Sequence, residues 1–420
     1  MGNINRETIR AAAAAAEQAM QEYAAELGPV AEANFAKVLD AMRQAKISEN
    51  HLRDSTGYGY GDVGRDTLEQ VMAQVWGAED CLVRQQIVSG THAISLALLG
   101  NLRPGQELLY VGRPYDTLQK IIGLQGETAG SLLESGALYR EVAFDFEHPS
   151  GEQIVAALGE QTHIVAFQRS RGYSWREPFT IEELGRLISE VKAARPDAVV
   201  FVDNCYGEFV EAQEPPAVGA DLIAGSLIKN PGGGIAPCGG YVAGRRDLVE
   251  RAAARLTAPG IGGEVGCSLL PQRVFYQGLF LAPQIVREAL CGARFAAEIF
   301  SRLGFGVSPG AGAKRGDIVE AIRFGDPRLL IAFCQGIQRY SAVDSYVTPE
   351  PWDMPGYTDQ VIMASGSFVS GSSIEISADA PVREPYVAYF QGGLSRYHAK
   401  IAITRTLYDM EEAGLFAELH

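Results

Sequence analysis

The chain has 420 residues, 47% of them hydrophobic and 21% charged, with a formal net charge of −15 at pH 7. That length suits one large domain with a smaller one beside it, and the acidic balance excludes a nucleic-acid partner, whose phosphates need a basic face. No apolar run reaches the roughly 20 residues of a membrane span, so no membrane partner is expected.

Six scattered cysteines without a C-x-x-C pair read as reduced thiols, hence a cytoplasmic protein. The start of the chain lacks the apolar core of a secretory signal, and Arg6 stands where a myristoylation motif wants Ser or Thr.

In chain order, residues 4 to 47 read as helix. Ala11 to Ala16 is a strong helix-forming run, broken near Gly28-Pro29 and resumed by Val30 to Ala45. This arm is expected to pack on another part of the molecule or on a second subunit. Residues 50 to 65 are rich in glycine and tyrosine and read as loop. A helix is predicted from Asp66, with Asp66-x-x-Glu69 resembling a capping box and Leu68, Val71, Met72 and Val75 as its apolar face.

From Cys81 to about Gly244, short apolar runs alternate with helical stretches. The strand candidates are Leu82–Val88, Glu107–Val111, His163–Phe167, Val199–Val202, Leu222–Ala224 and Gly240–Val242. The helix candidates are His92–Leu99, Asp116–Gly123, Ile181–Ala194 and Asp247–Leu256. Strands separated by helices imply crossovers and a mainly parallel sheet, an α/β fold. A long helix, Val286 to Leu303, then opens a different texture, with strand-like pieces at Ile318–Phe324 and Gln360–Met363 and a last helix at His398–Ala413. The expected divisions are an arm and loop over 1–60, a large domain over 61–285 and a small α+β domain over 286–420.

Gly59-x-Gly61-x-x-Gly64 spells a dinucleotide fingerprint. That fingerprint carries meaning only directly after a strand, and here it follows the polar His-Leu-Arg-Asp-Ser-Thr. A loop that carries tyrosines to a site is the better reading.

Three segments carry chemistry. Ser89-Gly-Thr-His-Ala93 sits between a strand and an apolar helix, where free N–H groups and the helix dipole form an anion cradle; a plain βα turn would look the same. Val199-Val-Phe-Val-Asp-Asn204 ends a buried strand on Asp203, at the edge where open α/β sheets take ligands; a turn-capping aspartate is the alternative. Leu222-Ile-Ala-Gly-Ser-Leu-Ile-Lys-Asn-Pro-Gly-Gly-Gly234 places Ser226 and Lys229 behind a third strand. Apolar neighbours would desolvate Lys229 and lower its pKa, giving the neutral amine that attacks an aldehyde; a solvated surface lysine is the alternative. Together the three point to pyridoxal 5′-phosphate (PLP), with Asp203 on the pyridine nitrogen of a ring that acts as an electron sink.

These segments, with Arg53-Asp-Ser-Thr-Gly-Tyr-Gly-Tyr-Gly-Asp62, resemble the aluminium-resistance or methionine γ-lyase-like proteins of the cystathionine β/γ-lyase group, over nearly the whole chain. The resemblance implies a fold-type I PLP-dependent fold, with a seven-stranded-type sheet. It implies that Lys229 bonds the cofactor's aldehyde, Asp203 pairs with the ring nitrogen, and Ser89, Gly90, Thr91 and Ser226 hold the phosphate. Tyr115 matches the ring that stacks on the cofactor. Tyr58 and Tyr60 match a loop that reaches the neighbouring subunit's cofactor, and Tyr58 its substrate, so a homodimer or homotetramer with shared sites follows. Related lyases carry an arginine close behind that tyrosine; only Arg65 is near, which leaves the phosphate contact from the neighbour without a clear match.

A substrate carboxylate wants an arginine's planar fork; Arg383, in Ala380-Pro-Val-Arg-Glu-Pro385, is the first choice. The expected reaction is β- or γ-elimination from a sulfur-containing amino acid such as methionine, cystathionine or cysteine, with Lys229 taking the α-proton. Two alternatives share the cofactor residues: an aminotransferase, and a PLP-binding stress-response protein without catalysis. The histidines (His51, His92, His148, His163, His398, His420) show no metal-ligand spacing; His92 is expected to pack in the phosphate turn.

Overall fold

The computed structural model describes residues 4–126, 128–354 and 357–417. His420 lies outside them. Two sheets organise the chain. The larger has seven strands: β1 (Asp80–Arg84), β2 (Glu107–Val111), β3 (Leu138–Val142), β4 (Thr162–Gln168), β5 (Val199–Asp203), β6 (Leu222–Ser226) and β7 (Gly240–Gly244). Their spatial order is β1-β7-β6-β5-β4-β2-β3. Pairing is parallel except at β7, which runs antiparallel to both neighbours.

The strands β2, β5, β6 and β7 are buried along their whole length. Continuous apolar sequence, such as Val199-Val-Phe-Val, is what a parallel sheet covered on both faces requires. Helices Gly90–Asn101 and Arg246–Leu256 close one face, where Leu96, Leu98, Phe201 and Val242 meet. Helices Val63–Trp76 and Ile181–Ala194 contribute to the other, around Phe167, Val200 and Tyr241.

The second sheet is antiparallel, in the order β10-β11-β12-β9-β8. Its strands are β8 (Gly306–Ser308), β9 (Val319–Arg323), β10 (Val361–Ala364), β11 (Ser377–Pro381) and β12 (Val387–Gln391). The chain is thus mixed α/β, with a large mainly parallel sheet and a smaller α+β region, as expected.

A 30-residue helix, Arg273–Arg302, joins the two. It begins thirteen residues before the expected start at Val286, because Pro283 inside it reads in sequence as a break. The boundary expected after residue 285 therefore falls within a continuous helix.

The N-terminal arm has its partner in the same chain. Helix Arg6–Glu26 buries Ile9, Ala13, Ala16 and Met20 and packs on Arg273–Arg302 and Arg396–Glu412. Arg287 donates from Nε to the Ala24 carbonyl at 3.1 Å, and Lys400 pairs with Glu17.

The helix expected from Asp66 begins earlier, at Val63, and Asp62 is its cap, accepting from the Arg65 N–H at 3.0 Å. The same carboxylate accepts from Ser268 Oγ at 2.6 Å and from Ser55 Oγ. This pins the glycine/tyrosine loop to the segment around residue 268. Residues Glu49–Leu52 ahead of the loop form a 3₁₀ turn and not a strand; Gly64 itself lies inside the helix. Among the described residues, no helix is long and apolar enough to cross a membrane.

Candidate active site

Parallel strands deliver their carboxyl ends to one edge, and the expected residues gather there around a cavity of about 810 Å³. Ser89, Gly90, Thr91, Tyr115, Asp203, Ser226, Lys229 and Arg383 all line it. Tyr58 and Tyr60 do not. They stand 74% and 68% exposed, ring centres 5.6 Å apart, on a loop held by the bond from the Gly266 N–H to the Tyr58 carbonyl.

The cradle is built by the helix that follows β1. Ser89 caps it, accepting from the His92 N–H at 3.1 Å. His92 turns back to accept from the Val88 N–H at 3.2 Å, so it packs in the turn as expected. Gly90 is needed for closeness: a Cβ there would stand 3.1 Å from Cys205 Sγ and 3.3 Å from Ser226 Cβ. Ser226, the last residue of β6, is buried, and its hydroxyl has no hydrogen-bond partner among the described residues. A buried hydroxyl without a partner costs about 1–3 kcal/mol. An anion seated on the Gly90 N-terminus would satisfy it.

Asp203 ends β5 and is buried. Its Oδ1 accepts from the Cys205 N–H at 3.1 Å. Burial raises its carboxyl above the ordinary range, against the pull of Lys229 and of hydrogen bonds from Cys205 and Tyr115. A cationic partner would restore its ionised form. Tyr115, just before helix Asp116–Ile122, is pushed well up by burial and by Asp203, so its hydroxyl keeps its proton.

Lys229 departs from expectation in one respect. Burial does work to lower its pKa, but Cys205, Tyr206 and Asp203 outweigh it, and the amine is held above its ordinary value. The expected neutral amine is not produced by desolvation, because the site surrounds the lysine with acidic and π-rich groups. Its Nζ lies 3.9 Å from the centre of the Tyr206 ring.

Arg383 lines the cavity but is engaged at 2.7 Å by Asp359 and remains exposed. Arg65 is buried and occupied: its Nη1 donates to the carbonyls of Gly59 (2.9 Å) and Gly266 (2.8 Å). It therefore cannot serve as the arginine reaching a neighbouring phosphate.

Sequence reasoning missed Tyr206, Gln168, Arg171, Tyr173, Tyr357 and Gln391, all of which line the cavity. The end of β4, Gln168-Arg-Ser-Arg171, carried a usable signal: two arginines directly behind the apolar run Ile164-Val-Ala-Phe167 at the carboxyl end of a strand. Arg169 is structural. Its guanidinium bonds Asn204 Oδ1 and Glu211 Oε2, both at 2.9 Å, and so fixes the turn behind Asp203.

The residue types fit PLP: an N-terminal cradle with an unpartnered hydroxyl for the phosphate, a buried carboxylate for the ring nitrogen, and an amine between them for the aldehyde.

Comparison with known proteins agrees. The chain is 51% identical over 377 residues to YnbB of Bacillus subtilis, a protein without assigned function, covering 89% of this chain and 90% of that one. A Clostridium novyi structure described as a carbon–sulfur lyase involved in aluminium resistance matches with TM-score 0.92 and 49% identity over 97% of each chain. A methionine gamma lyase from Micromonospora echinospora, at 18% identity and TM-score 0.57, shares the fold over 82% of this chain and 86% of that one. The model of the methionine gamma-lyase family matches residues 9–411, and the chain belongs to that family of carbon–sulfur lyases.

Proposed function

We propose that the protein is a PLP-dependent lyase that eliminates a sulfur leaving group from Cβ or Cγ of an amino acid, the remaining imine being hydrolysed by water to a keto acid and ammonia. The observation that carries this reading is the convergence of Lys229, Asp203, Tyr115 and the Ser226–Gly90 cradle on one cavity.

When bound, PLP supplies an electron sink for the charge left at the substrate's Cα. The protein's own residues do the rest. Gly90, Thr91, Ser89 and Ser226 would bind the phosphate, and Asp203 would hold a proton at the ring nitrogen. Lys229 would bond the aldehyde, and its Nζ, in the neutral amine form, would take the proton from the substrate's Cα. Tyr115 would lie against the ring, and its hydroxyl, which keeps its proton, would give a proton to the leaving sulfur.

Tyr58 and Tyr60 are read as contributions to a second subunit's site in a homodimer or homotetramer. Their exposure supports this, as does the exposed apolar ground beside them at Val63, Val88 and Leu269. All six cysteines are free thiols, in keeping with a cytoplasmic home.

The test is product analysis with purified protein and PLP. L-cysteine, L-methionine and L-cystathionine are supplied in turn. Release of ammonia and keto acid with a free thiol, or sulfide from L-cysteine, from at least one supports the reading. Amino transfer to an added keto acid without ammonia overturns it in favour of an aminotransferase.

A further inference from the structure

Arg171 is the anomaly of the cavity. It follows β4, is 1% exposed, and lines the cavity wall. None of its three guanidinium nitrogens has a hydrogen-bond partner among the described residues. A buried guanidinium is ordinarily paired, since its charge and five donors are costly to strip of water. The other arginines near this part of the fold are spoken for. Arg315 bonds Glu320 at 2.6 Å, Arg169 bonds Asn204 and Glu211, and Arg176 donates to the carbonyl of Gln168 at 2.8 Å.

The nearby acids offset part of the cost of burying the Arg171 charge without filling its donors. Asp317 receives the backbone N–H of Arg171 at 3.1 Å and that of Val319 at 3.0 Å. Glu320 is held by Arg315. Burial still lowers the Arg171 pKa against the pull of Asp317 and Glu320, and its donors are left without partners among the described residues.

Position decides what could fill them. The cradle lies against Ser226 at the end of β6, and β6-β5-β4 are consecutive neighbours. Two strand spacings, about 10 Å, separate the end of β6 from the end of β4. Arg171, which follows β4, therefore stands across the strand of Asp203 from the cradle.

We infer that Arg171 binds the α-carboxylate of the substrate amino acid by a two-pronged hydrogen bond, in place of Arg383. This rests on the lyase reading for its cavity, but not for its test. Arg383 is engaged by Asp359 instead.

The probe is 3-(methylthio)propanoate, a carboxylate without the amine that reacts with the cofactor. Its binding to the PLP-loaded protein is measured by calorimetry, with no turnover required. The wild type binds it. Arg171→Gln weakens binding by about 10- to 100-fold, the loss expected when charged hydrogen bonds disappear. Arg171→Lys keeps the charge beside Asp317 and Glu320 and recovers part of it, while Arg383→Gln changes binding by less than about 3-fold.

A melting curve and the visible band of bound cofactor confirm that each variant is folded and loaded. Should Arg171→Gln fail to fold, the Lys variant still decides, because a point charge without the fork binds more weakly. Wild-type affinity in both Arg171 variants overturns the inference, as does failure of the wild type to bind the probe, or loss confined to Arg383→Gln. Binding through Arg171 in a protein that proves to be an aminotransferase would refute the lyase reading alone.

Discussion

The Nζ of Lys229 sits 3.9 Å from the ring centre of Tyr206, and the hydroxyl of that ring accepts from Ser373 Oγ at 3.2 Å. One side chain thus touches the reactive lysine and the segment leading into the smaller sheet. Tyr206 holds a left-handed backbone, φ 70°, which a bulky residue adopts only where its surroundings impose it. Tyr206→Leu removes a cation–π contact of about 0.5–2 kcal/mol. The lysine should lose its proton more readily, and the pH profile for capture of PLP by the apoprotein should move down by about 0.4 to 1.5 units. An unmoved profile would show that Tyr206 has no hold on the amine.

The cradle makes a different prediction. Ser226→Ala should weaken PLP binding by about 10- to 100-fold through loss of a charged hydrogen bond. It should leave the melting temperature of the apoprotein unchanged or higher, since it removes a buried hydroxyl without a partner. Gly90→Val should abolish cofactor binding, because side-chain atoms would enter space bounded by Cys205 and Ser226. Equilibrium dialysis and thermal melts read both outcomes.

Glu208 gives the pH dependence. It is fully buried, accepts from Tyr241 OH at 2.9 Å, and its Oε2 has no partner among the described residues. Burial pushes its carboxyl up to about 8. The folded protein therefore keeps a proton that the unfolded chain releases above about pH 4.3. The stability this contributes is full below that pH and is lost as pH rises toward 8. Glu208→Gln cannot titrate and still accepts from Tyr241. Denaturant unfolding at pH 5 and pH 8 should show a smaller fall in stability for the variant than for the wild type.

The shared-site proposal is testable by mixing. Lys229→Ala lacks the anchor, and a Tyr58→Ala, Tyr60→Ala double variant lacks the exposed pair. Neither should be active alone. If each tyrosine pair serves its neighbour, unfolding and refolding the two together should restore activity, since some mixed dimers carry one intact site. Absence of recovery, with mixed dimers shown by mass spectrometry, would confine each site to one chain.

The parts of the fold most legible in sequence were those whose burial is uniform. Glu107–Val111 and Ile181–Ala194 run where their apolar patterns place them, and β5 ends on Asp203 as its apolar run implies. The edge strand β3 was missed because Leu138-Tyr-Arg-Glu-Val buries little beyond its last residue, leaving no apolar pattern to read. Strand β11, Ser-Ala-Asp-Ala-Pro, is made of poor strand formers and exists only through pairing with β10 and β12.

The site followed the same logic. Lys229, Asp203 and Ser226 stand at strand ends that sequence marks. Arg171 and Tyr206 lie in turns, where the partners that give a side chain its meaning come from distant segments such as Asp317 and Ser373.

The central claim is that Lys229 anchors PLP in this cavity. The most direct measurement is the visible absorption spectrum of the purified protein after incubation with PLP and removal of the excess, beside Lys229→Ala treated identically. The account predicts a band from lysine-linked cofactor in the wild type, discharged by borohydride with the label recovered on Lys229, and no such band in the variant. A wild type that takes up no PLP, or a Lys229→Ala protein that keeps the band, would contradict it.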